Sequence, residues 1–408
     1  MGIVGFLNPS ILPYFVPMSS AVFPYKSAIV VTCFPEQSPW LASEIEALGF
    51  EVVSTNISEV ETVGYMDDCL RLNMWLRTGS RVLYQIQRFP AKNANDLYSR
   101  VRAIPWEKYL HADGYFSITS YVKNDTIRDD RFANVRVKDA IVDRMVEKTG
   151  KRPDSGPNKD RTVIHIYWKE DKVRIYFDTS GETIAKHGYR KLPFKAPMIE
   201  SLAASTIRAS EWDAQAPFVN PMCGSGTLAI EAALFAINKA PGLERENFGF
   251  MHIKGYDEES WQGYQRLAKL QMKAPAPGLK IVASDMNRDA IKAARANAKT
   301  AGVEELIDFQ LCDFRETQMP EEPGVIMINP EYGERLGEEE KLLEVYRQIG
   351  DFFKQKCQGY TGFIFTGNMN LAKSIGLRTS ARIPFYNAKI ECRLLKYELY
   401  KGSKKQKD

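Results

Sequence analysis

The chain alternates between two hydrophobic rhythms. Short apolar, β-branched runs predict strands, and apolar positions three or four apart predict helices. Ala28-Ile-Val-Val-Thr32 is the first strand-like run. Ser38-Pro39 then opens a helix through Leu41, Ile45 and Leu48, stopped by Gly49, with a further strand by Val53. A second helix is expected over Asp67–Arg77, on Leu70, Met74 and Leu76, and a strand over Arg81–Gln87. The pattern repeats in kind: helix Asn95–Ala103, strand Tyr115–Val122, helix Arg136–Thr149. Thr162–Trp168 and Lys172–Phe177 alternate residue by residue across the polar link Lys169-Glu-Asp171, a hairpin signal.

Past residue 183 the pattern changes. Thr183–Pro197 reads as a basic, proline-stiffened connector, and Pro197–Ser210 as a helix on Met198, Leu202 and Ile207. The apolar run Pro217-Phe-Val219 leads into Asn220-Pro-Met-Cys-Gly-Ser-Gly-Thr227, and a helix is expected over Leu228–Ile237. An aromatic-bearing insertion, about 239 to 278, follows; it is expected either to wall the site or to be a helical decoration with its own apolar seam. Further strands are expected at Lys280–Ser284, Ile307–Leu311, Val325–Ile328 and Gly362–Thr366. Helices are expected at Asp289–Ala301, ended by Gly302, and at Glu339–Lys356; Lys389–Tyr400 alternates as closing strands.

Strand, tight glycine turn and helix are the parts of a nucleotide pocket in an open α/β sheet. Gly224 and Gly226 let the backbone turn sharply and approach a ligand closely. The helix start then offers free N–H groups. About a hundred residues later an apolar strand ends in Asn329-Pro-Glu-Tyr332. The pair is far more specific than either half.

Together the two motifs resemble the amino-methyltransferases that use S-adenosylmethionine, whose second loop is (N/D)-P-P-(Y/F). Asn124-Asp-Thr-Ile-Arg128, Arg136-Val-Lys-Asp-Ala-Ile-Val142, Lys186-His-Gly-Tyr-Arg190 and Ala240-Pro-Gly-Leu243 carry the resemblance further, to the RlmL-type 23S ribosomal RNA guanine-N2 methyltransferases. The match runs from roughly Lys26 to Tyr400. It implies an α/β chain: a Rossmann-like, seven-stranded methyltransferase domain preceded by ferredoxin-like and THUMP α+β domains. The expected division is an extension over 1–25, a ferredoxin-like part over 26–66, a THUMP domain over 67–180, a linker over 181–196, the methyltransferase domain over 197–400 and a basic tail over 401–408. The implied cofactor is S-adenosylmethionine, held by Asn220, Met222, Cys223, Gly224, Ser225, Gly226, Thr227, Asp285, Met286, Asp313 and Phe314. Asp285 suits a ribose diol, and Asp313 the adenine amine; the plainer reading of Asp313 is a turn cap. Asn329, Pro330, Glu331 and Tyr332 are the expected catalytic residues. An exocyclic guanine amine is a poor nucleophile, and the Asn329 side-chain oxygen with the Pro330 carbonyl would accept its two N–H bonds. Tyr332 would stack on a flipped-out base.

Two positions depart from the family pattern. Asn220 stands where Asp is usual, and Glu331 where the second Pro belongs. Three readings of Glu331 stay open: weakened activity, a carboxylate that selects guanine, or impaired catalysis. Rival functions are transfer RNA guanine-N2 methylation, adenine-N6 or protein glutamine methylation, and an inactive RNA-binding or assembly factor.

Charge narrows this list. Residues 1–70 hold 1 Lys/Arg and 8 Asp/Glu; residues 71–195 hold 26 and 15; residues 196–408 hold 28 and 28. The positive excess sits in the middle block, which points to RNA and away from a protein substrate. Arg128, Arg131, Arg136, Lys138, Lys151 and Arg152 are candidate phosphate contacts, or simply solvated helix faces. The expected partner is RNA, 23S ribosomal first and transfer RNA second. Six scattered cysteines without a CxxC pair, and only four histidines, make a metal site or disulfide framework improbable and fit a reducing cytoplasm. No run is long enough for a membrane helix. The oligomeric state is left open by the sequence.

Overall fold

The computed structural model describes residues 22–127, 129–194, 197–332 and 339–400. The chain forms two compact units, each discontinuous in sequence. The first takes residues up to Cys33, Leu41–Ile184 and Pro241–Leu270; the second takes Phe34–Trp40, Ala185–Ala240 and the chain from Gln271 onward.

The first unit is built on one eight-stranded sheet. Its order is Ser54–Asn56, Glu59–Gly64, Ser27–Thr32, Arg81–Pro90, Lys172–Asp178, Thr162–Lys169, Tyr115–Lys123, Asp154–Ser155. Only Tyr115–Lys123 pairs in parallel, with Thr162–Lys169 and Asp154–Ser155. The pairing of Arg81–Pro90 with Lys172–Asp178 makes the sheet continuous. The predicted strands and helices of this half appear within a few residues, with two differences. Helix Asp130–Thr149 starts six residues before Arg136, because the Asp129 side chain accepts from the Arg131 N–H and caps it. The hairpin of Ser54–Asn56 with Glu59–Gly64 was not expected beyond a strand near Val53; Ser54–Asn56 is a short, exposed, polar edge strand with no apolar run to mark it.

Of the insertion, Pro241–Leu270 belongs to the first unit. Phe248 and Phe250 stack at 5.1 Å between ring centres, and Trp261 meets both edge-on. Gly242 lies so close to the Met74 backbone that a Cβ would sit 2.6 Å from its Cα. The aromatic seam expected of a helical decoration is therefore present.

The second unit holds a seven-stranded sheet in the order Ile307–Leu311, Ile281–Asp285, Phe218–Pro221, Val325–Ile328, Thr361–Thr366, Ile390–Glu398, Ala381–Asn387. The first five are parallel; Ile390–Glu398 runs antiparallel to Thr361–Thr366, and Ala381–Asn387 antiparallel to Ile390–Glu398. Its central strands are buried on both faces, as helix-covered parallel sheets require. Strand Ala381–Asn387 and the short helix Met369–Lys373 escaped the sequence reading; exposed polar positions break the strand's apolar pattern. Chain order reverses at Phe218–Pro221: later strands step outward on one side through Ile281–Asp285, and on the other through Val325–Ile328. The crevice beyond the carboxyl ends of strands at such a reversal is where open α/β sheets bind ligands.

Candidate active site

Both sequence motifs open at that reversal. Phe218 and Val219 pair in register with Val325 and Ile326. The two strands therefore end side by side, one in the glycine turn and the other in Asn329-Pro-Glu-Tyr332.

The turn is held by its own hydrogen bonds. Cys223 N–H donates to the Ser284 carbonyl at 2.9 Å, and Gly226 N–H to the Cys223 carbonyl at 2.9 Å. Asp285 closes the neighbouring strand; its Oδ2 accepts from Gly224 N–H at 3.0 Å and its Oδ1 from Asn287 N–H at 2.8 Å. This carboxylate props the turn. Gly226 has φ +83°, and a Cβ there would meet the Ala294 Cβ at 2.9 Å. Both conformation and space demand glycine. Met222 also takes a positive φ, +54°. The Ser225 hydroxyl is buried without a partner among the described residues. Burial, then the Asp285 carboxylate, push the Cys223 thiol up.

Asn220 is 1% exposed. Its Nδ2 donates to the Met327 carbonyl at 2.9 Å, across to the neighbouring motif strand. An Asp cannot make that bond, because an ionised carboxylate only accepts. The departure from the usual Asp thus has a local reason.

Asp313 caps the turn Phe314–Glu316. It accepts from Arg315 N–H at 2.9 Å and from the Arg315 guanidinium, which holds its carboxyl below the usual range. The plainer reading of Asp313 describes this arrangement. Phe314 is 7% exposed in the second core, and Met286 is 75% exposed.

The second loop is built differently. Pro330 is buried and Glu331 exposed. The Asn329 Oδ1 is buried with no hydrogen-bond partner among the described residues. Tyr332 is half-buried; its hydroxyl accepts from Asn387 Nδ2 at 2.8 Å. Its ring lies where a Cβ on Gly367 would come within 3.2 Å.

Three supporting groups were missed in the sequence. Lys186-His-Gly-Tyr-Arg190 reads as a basic connector, yet His187 and Tyr189 are each 1% exposed. His187 Nδ1 meets Glu231 Oε1 at 2.8 Å, on the helix that follows the glycine turn. Arg190 donates to the Thr227 hydroxyl at 2.9 Å and lies 3.6 Å from Glu200. Asn297 is fully buried: its Oδ1 accepts from Lys191 and Leu192 N–H, and its Nδ2 donates to the Leu192 and Ser225 carbonyls. One signal existed: Asn297 is an amide within the alanine stripe of helix Arg288–Ala301.

The expected phosphate contacts lie on the first unit. Arg131 pairs with Asp129, and Lys138 with Asp139. Arg136 lies over the Tyr98 ring at 4.6 Å and donates to Asn95. Lys151 and Arg152 are exposed. Arg128 lies outside the described residues, as do the segments 1–21 and 401–408. Among the described residues no group of three or more His, Cys, Asp or Glu is placed to hold a metal ion, and no helix is long and apolar enough to cross a membrane.

Comparison with known proteins adds three family matches. Residues 187–396 match the RMKL-like methyltransferase domain, 91–178 the THUMP domain, and 28–83 the RlmL ferredoxin-like domain. A ribosomal RNA large subunit methyltransferase K/L of Syntrophotalea carbinolica is 36% identical over 370 residues, covering 88% of this chain and 52% of that protein. A Synechocystis sp. protein described as a candidate RNA methyltransferase is 35% identical over 363 residues, covering 88% of this chain and 93% of its own. The chain thus spans about half the length of the K/L relatives it matches. Among solved structures, a candidate methyltransferase complexed with S-adenosylhomocysteine is similar over 93% of this chain and 99% of its own, with 26% identity and a TM-score of 0.83.

Proposed function

The chain belongs to the RMKL-like methyltransferase family, a SAM-dependent group, and from that premise we propose that it methylates the exocyclic N2 of a guanosine in structured RNA, ribosomal RNA first. The observation that carries this reading is the Asn329 Oδ1, a buried acceptor with no hydrogen-bond partner among the described residues, at the end of the strand that pairs with the one leading into the glycine turn. A buried acceptor left without a donor costs about 1–3 kcal/mol. An incoming amine removes that cost by supplying its N–H.

S-adenosylmethionine, when bound, supplies an electrophilic methyl group. The residues present fit it: the Gly224 position has open space where a Cβ would stand, the Ser225 hydroxyl is unpartnered, and the turn backbone is already fixed. We assign Asn220, Met222–Thr227, Asp285, Met286, Asp313 and Phe314 to this cofactor, with Asp285 in its strongest role as the prop of the turn.

The chain's own residues then act on the acceptor base. Asn329 Oδ1 and the Pro330 carbonyl take the two N2–H bonds and so orient the nitrogen lone pair. Tyr332 offers a ring fixed by Asn387, against which a flipped-out base stacks. Glu331 is exposed at the loop, and its carboxylate accepts from guanine N1–H, a donor that adenine lacks. No strong base is required. Orientation of the amine in a near-attack arrangement supplies the acceleration.

The test is methyl transfer from labelled S-adenosylmethionine into protein-free, unmodified ribosomal RNA and transfer RNA, in separate reactions. The products are digested to nucleosides and identified by mass. N2-methylguanosine in ribosomal RNA is expected. N6-methyladenosine would overturn the base assignment, and label confined to transfer RNA would overturn the substrate class.

A further inference from the structure

We infer that the first unit carries a phosphate-binding pocket for an RNA strand, formed by His111, Arg161 and His252. The inference rests on RNA being the substrate, and it adds a contact that no sequence motif suggested.

A cavity of about 270 Å³ lies at the start of the two parallel strands Tyr115–Lys123 and Thr162–Lys169. Its polar lining is His111, Asp113, Tyr115, Arg161 and His252. His252 comes from the inserted segment; Thr162 Oγ1 holds it by donating to its backbone carbonyl at 2.9 Å. The insertion thus completes a cavity that the sheet alone would leave open.

Three basic side chains share this lining with one carboxylate. His111 and Arg161 are exposed, and neither side chain has a hydrogen bond or ion pair among the described residues. An arginine held free at a concave site matches the forked geometry of a phosphate. The His252 ring is oriented: Nε2–H donates to Asn247 Oδ1 at 2.7 Å, and Asn247 Nδ2 donates in turn to the Asp160 carbonyl at 2.8 Å. That leaves Nδ1 as the nitrogen that takes up a proton. Burial first, then the charge of Arg161, hold this imidazole below its usual range, with His111 acting in the same sense and the Asp160 carboxylate against it. A bound phosphate reverses the balance and draws a proton onto the ring. Asp113 is the acidic member of the lining, and its carboxylate accepts from a ribose hydroxyl. The Tyr115 hydroxyl accepts from Asn158 N–H at 2.9 Å, so it is anchored and lends a wall.

Such a contact positions RNA without reading sequence. The test uses the full chain and a fluorescein-labelled fragment of unmodified ribosomal RNA, titrated at several salt concentrations. The double variant Arg161→Gln/His111→Gln is expected to bind about tenfold more weakly, equally for unrelated sequences, with the slope of log K against log salt reduced by about one. Wild-type binding is expected to tighten from about pH 8 to about pH 6, and His252→Gln to lose part of that gain. Affinity for S-adenosylmethionine, whose site lies in the second unit, should not change and reports that the variants fold. Unchanged RNA affinity and salt slope in the double variant would overturn the pocket while leaving the RNA reading intact. A wild type that binds no RNA would sink the RNA reading instead. The pocket is then judged by inorganic phosphate: the imidazole C–H resonances of His111 and His252 should shift in the wild type, that of His252 should stay still in the double variant, and no wild-type shift overturns the pocket too.

Discussion

Two neighbouring strand ends in the second unit do opposite things. After Phe218–Pro221 the chain turns in a loop whose amides and flanking side chains are tied down by Asp285, Asn297 and the Ser284 carbonyl. After Val325–Ile328 it enters a loop with a buried acceptor, unpartnered among the described residues, and an exposed carboxylate. Held in this way, the proposed cofactor end is shaped before its ligand arrives. Each end also leaves a buried acceptor without a partner among the described residues, Asn220 Oδ1 at the first and Asn329 Oδ1 at the second.

The contrast breaks most sharply at Asn329. Asn329→Ala should cut methyl transfer by on the order of a hundredfold or more, by analogy with removal of one oriented hydrogen-bonding group. It should also leave the fold equally or more stable, by up to ~1 kcal/mol, because an orphaned acceptor is removed. Activity assays and thermal unfolding on one preparation check the opposed signs; a joint loss would make Asn329 structural. Gly226→Ala should do the reverse and destabilise by ~2–3 kcal/mol, since φ +83° and the Ala294 contact both oppose a Cβ. Adding Ala294→Gly should recover the contact but not the backbone strain, so denaturant melts should show partial rescue. Asn220→Asp should cost ~2 kcal/mol, by removing the donor to Met327 and burying an unpaired carboxylate. An unaltered melting temperature would mean the cross-strand bond contributes nothing. The smallest effect is expected at Glu331→Gln: about tenfold in kcat/KM for guanosine, little in affinity for S-adenosylmethionine. A large gain in activity with Glu331→Pro would count against the carboxylate as a guanine contact.

The sheet of the second unit could be read in the sequence because its central strands are short apolar runs bounded by glycine and asparagine turns. The pairing of the motifs could be read as well, since both types must sit at strand ends. What surrounds them could not. His187 and Tyr189 sit in a segment whose lysines and arginine suggest solvent, and tertiary contacts with Glu231 override that local impression. Asn297 is one amide among alanines, and nothing local says which carbonyl it will reach. The strand Ala381–Asn387 has alternate positions exposed on an edge, so it lacks the hydrophobic run that identifies its neighbours. The insertion's destination was equally hidden, because its Gly249 backbone packs against Asp178 and Gly181, encoded more than sixty residues earlier.

Each unit borrows a piece of chain from the far side of the other: Phe34–Trp40 goes to the second, Pro241–Leu270 to the first. During synthesis the first unit therefore stays unfinished until Leu270 has left the ribosome, when the glycine turn and its helix are already made. Neither half can mature as an independent product, and a single cut at Ile184 would release two incomplete fragments rather than two domains. Gene fusions or truncations placed at that point are expected to yield aggregation-prone pieces.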